Sequence, residues 1–445
     1  MNPLVASLIL FGCLLLLLST GLQIVFVIGS VAIVAGLFLL GVDGLYLVGQ
    51  IMYTQWTSQT LLSLPFFLFS AAILERSGIG EACYATVYRL FGGIRGGLAS
   101  GTVLICTMFA AIVGVSGAAT VSMGLIALPS MLRRGYDKHM SLGAVAAGGV
   151  LGIVIPPSVI MIIYSVMVRQ AGVSVGAMFF GGVVPGLIIA GLHIAMISIR
   201  SFFNPKLAPP VPVEERVGII GKLVSLRAVI LPFSLMFLVL GVIYTGVATP
   251  SEAAAIAAAG SLICAAFYRR LNWTSLKESS IASLRLIGMV MWILAAATLF
   301  NSVFITTGAR DALMTAVIGL HLNRWLIIIV LQLSLLVFGC LMDDYAIVAM
   351  CGPIYAPLVV SLGFDPLWWG ILFILNMEMA YLTPPYGFNL FYLRGVVPQI
   401  RDKIPEDISM LDIYQGCAPY LITQGLGLVL VMIFPILALW LPSTM

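Results

Sequence analysis

Helix-breaking residues recur at one fixed spacing inside otherwise apolar sequence. Shifted forward by 228 positions, residues 114–164 bring Gly124 onto Gly352, Pro129 onto Pro357, Gly135 onto Gly363 and Asp137 onto Asp365. The same shift brings Pro156-Pro157 onto Pro384-Pro385 and Tyr164 onto Tyr392 without a gap. Gly, Pro and Asp are scarce within apolar segments, so this alignment marks a duplication. A shift of 225 pairs Ser19-Thr20-Gly21 with Tyr244-Thr245-Gly246 and extends the match toward the start of the chain. The setting is a lipid bilayer, because 61% of the 445 residues are hydrophobic and only 9% are charged, a ratio no soluble fold needs. Two copies of a broken-helix unit in such a chain suggest a secondary transporter with its site where the copies meet.

Apolar runs at 3–19, 22–41, 60–76, 141–168, 176–199, 228–245, 250–268, 286–307, 366–393 and 417–441 read as spans of about 20 residues. Two further runs, 97–132 and 325–361, are about twice that length and carry Gly or Asp at their middles. They read as re-entrant helical hairpins, with a pair of full spans as the alternative. Charge favours the hairpins. With them, all but Arg169, Arg310 and Arg324 of the 21 basic residues fall on one face, which the positive-inside rule makes cytoplasmic. The first hairpin then opens to the cytoplasm and the second to the outside, so the copies are inverted and both termini are periplasmic. Residues 1–199 form the first copy and 228–445 the second. The Pro-rich stretch 200–227, with Asn204-Pro205 and Pro209-Pro210-Val211-Pro212, is the cytoplasmic linker. Segments 43–58 and 308–324 are amphipathic and read as arms along the outer membrane surface. Met1-Asn2-Pro3 carries no basic flank, so the first run is expected to stay as an anchor.

The chemistry concentrates at the interruptions. Successive prolines at 156–157 and 384–385 remove two backbone donors and clash with the preceding turn, so the helices 141–168 and 366–393 must open there. Freed carbonyls at bilayer depth need protein, a polar cavity or a hard cation. One hairpin tip reads Gly114-Val115-Ser116-Gly117-Ala118-Ala119-Thr120, small and hydroxylated. The other reads Gly339-Cys340-Leu341-Met342-Asp343-Asp344-Tyr345. Two adjacent carboxylates in an apolar hairpin are costly unless paired, protonated or bound to a cation. No Lys or Arg lies between Arg324 and Arg394 to pair with them. Glu378 is a further intramembrane acid, a candidate ligand or proton carrier. Glu252, in Thr249-Pro250-Ser251-Glu252, reads instead as a helix-start acid.

Other chemistries are excluded. There is no GxxxxGK[ST] phosphate loop, and Gly92-Gly93-Ile94-Arg95-Gly96-Gly97 lacks the preceding strand a nucleotide loop requires. His139, His193 and His321 show no metal spacing and read as surface or interfacial. The seven cysteines read as small hydrophobes in helices. A net charge of +4 gives no nucleic-acid signal. An ion gradient is the expected drive, with sodium favoured over protons because carbonyl and hydroxyl oxygens dominate the interruptions.

These motifs resemble a known family. Leu132-Arg133-Arg134-Gly135-Tyr136-Asp137, followed by Gly148-Gly149-Val150-Leu151-Gly152-Ile153-Val154-Ile155-Pro156-Pro157-Ser158, is similar to the first-half signature of the large membrane subunit of TRAP (tripartite ATP-independent periplasmic) transporters. Gly339 to Met342-Asp343, and Asn376-Met377-Glu378 through Leu382-Thr383-Pro384-Pro385-Tyr386-Gly387-Phe388-Asn389-Leu390-Phe391, resemble its second-half counterpart. The resemblance covers nearly the whole chain. It implies an all-α polytopic membrane protein of elevator type: an inverted repeat with two re-entrant hairpins and two broken helices. It implies a sodium-driven importer of an organic anion, carboxylate or sulfonate, in a bacterial or archaeal inner membrane. The implied partners are a small four-span membrane subunit and a periplasmic substrate-binding protein. Sodium, about two ions or more, is the coupling ion, and no other cofactor is implied. By position, Gly114 and Ser116 with Gly152 and Pro156 form one sodium site, and Asp343 and Asp344 with Thr383 and Pro384 the other. Substrate falls between the tips, near Ser116, Gly117, Ala118 and Pro157 in one half and Asn376, Glu378, Tyr386 and Gly387 in the other. Val113, Val115, Asp344 and Tyr345 depart from the small or hydroxylated residues the resemblance leads one to expect.

Two other classes compete. One is a stand-alone sodium/dicarboxylate symporter of the same architecture. The other is an intramembrane aspartyl enzyme using Asp343 and Asp344, disfavoured because neighbours on a helix point about 100° apart.

Overall fold

The computed structural model describes residues 3–445, and among them the chain is helical throughout, with no strand. The first half runs α1 (Pro3–Leu18), α2 (Ile24–Leu40), α3 (Asp43–Trp56), α4 (Ser63–Arg76), α5 (Ile79–Phe91), α6 (Gly97–Val113), α7 (Ser116–Arg133), α8 (Lys138–Val150), α9 (Val159–Met167) and α10 (Val175–Phe203). The second runs α11 (Ile219–Tyr244), α12 (Pro250–Phe267), α13 (Trp273–Thr306), α14 (Ala309–Gly319), α15 (Arg324–Gly339), α16 (Asp344–Ser361), α17 (Pro366–Leu382), α18 (Phe388–Ile400), α19 (Met410–Ile433) and the single turn α20 (Ile436–Leu439). Six of these, α10, α11, α12, α13, α16 and α19, are long and apolar enough to cross a membrane. Helices α1, α2, α6, α15 and α17 are shorter but also apolar.

The repeated residues have the same local job in both halves. Gly135 and Gly363 follow α7 and α16 with φ of 75° and 81°, the left-handed C-terminal position that glycine alone occupies without strain. Two residues later Asp137 and Asp365 cap the next helix. Asp137 accepts from the Met140 N–H at 2.8 Å, and Asp365 accepts from Leu367 and Trp368 at 2.8 and 3.0 Å. Each such cap contributes about 1 kcal/mol. Pro156-Pro157 separates α8 from α9, and Pro384-Pro385 separates α17 from α18. Both Pro-Pro bonds are cis. Glu252, in the first turn of α12, completes a capping box with the N-cap Thr249.

Several basic side chains in the connections between helices are paired. Arg134 donates to Glu215 at 2.8 Å, Lys138 pairs with Asp412 at 2.7 Å, and Arg133 donates to the Lys403 carbonyl at 2.7 Å. Arg76 meets Glu278, and Arg270 meets Glu81. The linker is tied down beneath the first hairpin. The Gly96 and Asp137 N–H groups donate to the Ala208 and Leu207 carbonyls, and the Val211 N–H donates to Gly92. Arg169 lies elsewhere, in a cavity of about 720 Å³ with Thr249, Ser251 and Gln59.

Helix α4 lies against α12 and α13, and α13 also packs on α2. Helix α8 is enclosed by α6, α7 and α19, while α17 is enclosed by α15, α10 and α19. Every residue from Ser141 to Ser165 is buried.

Two elements differ from the sequence expectation. Helix α5 occupies residues that hydropathy reads as a connection, because a short amphipathic helix lacks the apolar run that marks a span. Helix α13 starts at Trp273, well before 286, with the Asn272 cap accepting from the Ser275 N–H at 2.8 Å. The expectation for the histidines is corrected at His193. It is fully buried between α10 and α19, where Nδ1 meets Thr423 Oγ1 at 2.7 Å. All seven cysteines are free thiols.

Candidate functional site at the hairpin tips

Both hairpins end in tight tips because their sequences cannot continue a helix. Helix α6 stops at Gly114, whose φ is 68°. A Cβ there would stand 2.4 Å from the Pro157 carbonyl oxygen, so only glycine lets the first tip rest on the first helix break. The Gly114 carbonyl in turn accepts from the Val159 N–H at 3.3 Å. At the second tip Asp343 caps α16, its Oδ1 accepting from the Tyr345 N–H at 2.9 Å. Asp344 Oδ1 accepts from the same N–H at 2.9 Å.

The two tips, about 228 residues apart in sequence, meet in one cavity of about 70 Å³. Gly114, Ser116 and Gly117 come from the first tip and Asp343, Asp344 and Tyr345 from the second. Ile153 and Ser158 flank the first break, Tyr381 precedes the second, and Tyr392 follows it. Leu286 and Met289 of α13 close the side. Among the described residues no Lys, Arg or His lines it, and neither aspartate is in an ion pair. Two carboxylates sharing one N–H donor in an apolar fold make a strong field for a cation.

The breaks leave fewer free carbonyls than the proline count implies. Ser158 Oγ donates to the Ile153 carbonyl at 2.5 Å, and Tyr414 OH donates to Pro385 at 3.1 Å. The Thr383 carbonyl accepts from the Gly387 N–H, and the Thr383 hydroxyl donates to Met379 at 2.7 Å. Gly152, Pro156 and Pro157 are buried beside the cavity rather than in its wall, whereas Thr383 and Pro384 are half-buried. Ala118 lies on the following turn of α7, half-buried, and Gly387 is buried at the start of α18.

Three residues named from sequence lie apart. Asn376 faces α15, donating to the Gln332 carbonyl at 2.8 Å and to its side chain at 2.6 Å. Glu378 faces α19, its Oε2 accepting from Gln424 Nε2 at 2.5 Å. Both are buried away from the tip cavity. Tyr386 is exposed and stacks on Phe391. The structure adds residues that hydropathy did not rank. Asn389 is fully buried and links both halves: its Oδ1 accepts from Thr120 Oγ1 at 2.8 Å, and its Nδ2 donates to the Ala146 carbonyl at 2.6 Å. In the sequence only the match to Tyr164 marks Tyr392. Its partner residue is buried against Phe373, whereas Tyr392 opens on the cavity.

A helical membrane protein whose hairpin tips and helix breaks converge on one internal cavity has the architecture of a transporter. The fold agrees with a solved one: a transporter from Alcanivorax borkumensis, YdaH, matches with a TM-score of 0.62 over 98% of both chains at 15% identity. A sequence model of the "tripartite ATP-independent periplasmic transporter, DctM component" matches residues 11–437. The chain belongs to this family, the TRAP transporter large permeases. The C4-dicarboxylate TRAP transporter large permease protein DctM of Pseudomonas aeruginosa is 36% identical over 385 residues, 86% of each chain. The isethionate TRAP transporter permease protein DctMQ of Oleidesulfovibrio alaskensis is 31% identical over 392 residues, 87% of this chain and 60% of that one. These relatives are named as transporter permeases, not enzymes.

Proposed function

We propose that the chain is the large transmembrane subunit of a sodium-gradient-driven importer of an organic anion in a bacterial or archaeal inner membrane. The observation that carries this is the tip cavity: two carboxylates from one half, hydroxyl and backbone groups from the other, and no basic side chain. That donor set fits a hard cation, which takes oxygen ligands. Asp343 and Asp344 would hold one ion, with Thr383 and Pro384 supplying backbone oxygens if the second break shifts toward the tip. Gly114, Ser116, Gly152 and Pro156 would supply a second set. An anionic substrate then binds between the tips because the ions, rather than a protein cation, neutralise it.

The halves 1–199 and 228–445 are inverted copies joined by 200–227, with both termini outside. Helices α6–α10 and α15–α19 carry the site past a frame built on α4 and α11–α13, with α3 and α14 as lateral arms. Loss of the tip contact with Leu286 and Met289 of α13 would expose the site to one side of the membrane, as an elevator requires. A periplasmic binding protein delivers substrate, and a small four-span subunit completes the membrane complex. Relatives named for C4-dicarboxylates and for isethionate support carboxylates and sulfonates as candidate cargoes.

The test is uptake into proteoliposomes of the membrane complex with its binding protein. An inward sodium gradient should drive accumulation of the acid, and an equal potassium gradient should not. Equal uptake under both gradients would remove the sodium reading.

A further inference from the structure

Three basic residues fall on the proposed outer face: Arg169, Arg310 and Arg324. Two of them are engaged. Arg310 meets Asp311 at 3.4 Å, and the Arg324 guanidinium lies over the Phe364 ring at 5.2 Å. Among the described residues Arg169 makes no ion pair, ring contact or side-chain hydrogen bond. It is exposed and lines the cavity of about 720 Å³. The α3–α4 connection gives that cavity Ser58, Gln59 and Thr60, and the α11–α12 connection gives it Thr249 and Glu252. The side chains of Ser58, Gln59 and Thr60 also make no hydrogen bond among the described residues. Glu252 is the one carboxylate side chain lining the cavity among those residues. Its Oε2 accepts from both the N–H and the hydroxyl of Thr249 at 2.8 Å, which holds it at the α12 start. The charge left to meet a ligand is therefore positive.

A guanidinium offers parallel N–H donors that match a carboxylate or sulfonate, and hydroxyl and amide donors add to it. The volume suits a whole small molecule, since such sites run from about 300 to 1,000 Å³. The tip cavity, about 70 Å³, is far smaller and has no basic side chain among the described residues. Helix α9 joins the two. Ile160 lines the tip cavity, and Ser165 and Val166 line the outer one, a rise of roughly 8 Å at 1.5 Å per residue. An anion is repelled by Asp343 and Asp344 until a cation neutralises them. A positive site one helix away raises its local concentration meanwhile.

We propose that the outer cavity is a landing site for the cargo's acid group, held by Arg169 with Ser58, Gln59 and Thr60 donating. It fills without sodium and ahead of the tips. This rests on the transporter reading and topology proposed above, and it adds a second binding site to the transport path.

The experiment uses the membrane complex in nanodiscs, with Val166→Cys placing a reporter thiol in the cavity wall and labelling read by peptide mass. A sulfonate-bearing methanethiosulfonate is compared with a trimethylammonium-bearing one. Arg169→Gln should lower the anionic-to-cationic rate ratio by about threefold or more, and Arg169→Lys should keep it. Millimolar succinate or isethionate, in choline chloride without sodium, should slow labelling by the uncharged methyl reagent about threefold or more relative to choline chloride of equal ionic strength. Arg169→Gln should abolish that protection. Without either acid the uncharged reagent should label both proteins at the same rate, which shows that the variant is folded. An unchanged rate ratio in Arg169→Gln, protection that survives in that variant, protection that appears only with sodium, or no protection by either acid would each overturn the proposal. Absence of sodium-driven uptake alongside intact protection would instead remove the sodium reading and leave the landing site.

Discussion

Replacing Gly114 with alanine tests whether the first tip must rest on the first helix break. The residue has φ of 68°, and an added Cβ would stand 2.4 Å from the Pro157 carbonyl oxygen. The backbone strain alone costs about 1–2 kcal/mol. The clash is with backbone, which cannot rotate away, and adds the ordinary overpacking cost of about 1–3 kcal/mol. Gly172 provides the control. Its φ is 77°, yet nothing lies within 4 Å of an added Cβ. Gly172→Ala should therefore show the strain cost alone, and Gly114→Ala should lose about 1–3 kcal/mol more. Denaturant or thermal unfolding of both variants in the same detergent gives the difference, and uptake assays give its consequence. Gly114→Ala should also lose sodium-dependent uptake while Gly172→Ala keeps most of it. Equal destabilisation of the two variants would refute the close contact between tip and break.

Two further outcomes follow from buried contacts. Gly149 has no room for a side chain, because a Cβ would stand 2.0 Å from Thr120 Oγ1, so Gly149→Ala should cost about 2–4 kcal/mol through overpacking and loss of the Thr120–Asn389 hydrogen bond. Adding Thr120→Ala should recover at least about 1 kcal/mol, a coupling read from a double-mutant cycle of unfolding free energies. Glu378→Gln should keep sodium-dependent uptake, since the side chain contacts Gln424 rather than the cavity. Complete loss of uptake in a stable Glu378→Gln protein would return that residue to the transport site.

The duplicated breakers made the plan of this chain legible, and the reason is physical. Gly135, Asp137 and Pro156-Pro157 each impose one local backbone outcome, and their counterparts at 363, 365 and 384–385 impose the same one. Those outcomes survive any packing, so hairpins and broken helices could be placed to within a few residues. Helical phase could not be placed. Asn376 and Glu378 are two residues apart and so face opposite sides of α17, one toward Gln332 and one toward Gln424. Apolar sequence all around gives no moment to say which side holds the site. The Thr120–Asn389–Ala146 link depends on tertiary geometry between halves, for which a single sequence has no local signal. Helix α5 escaped because hydropathy finds spans, not short half-buried helices.

The central claim is that the tip cavity binds a cation through Asp343, and ligand-linked stability measures it directly. Any ion that binds only the folded state stabilises by about 2.7 kcal/mol at one hundred times its dissociation constant. Unfolding of the purified complex is followed while NaCl replaces choline chloride at constant ionic strength. The wild type should gain stability saturably with sodium, and Asp343→Ala should lose that gain while remaining folded. An undiminished sodium response in Asp343→Ala would contradict the account.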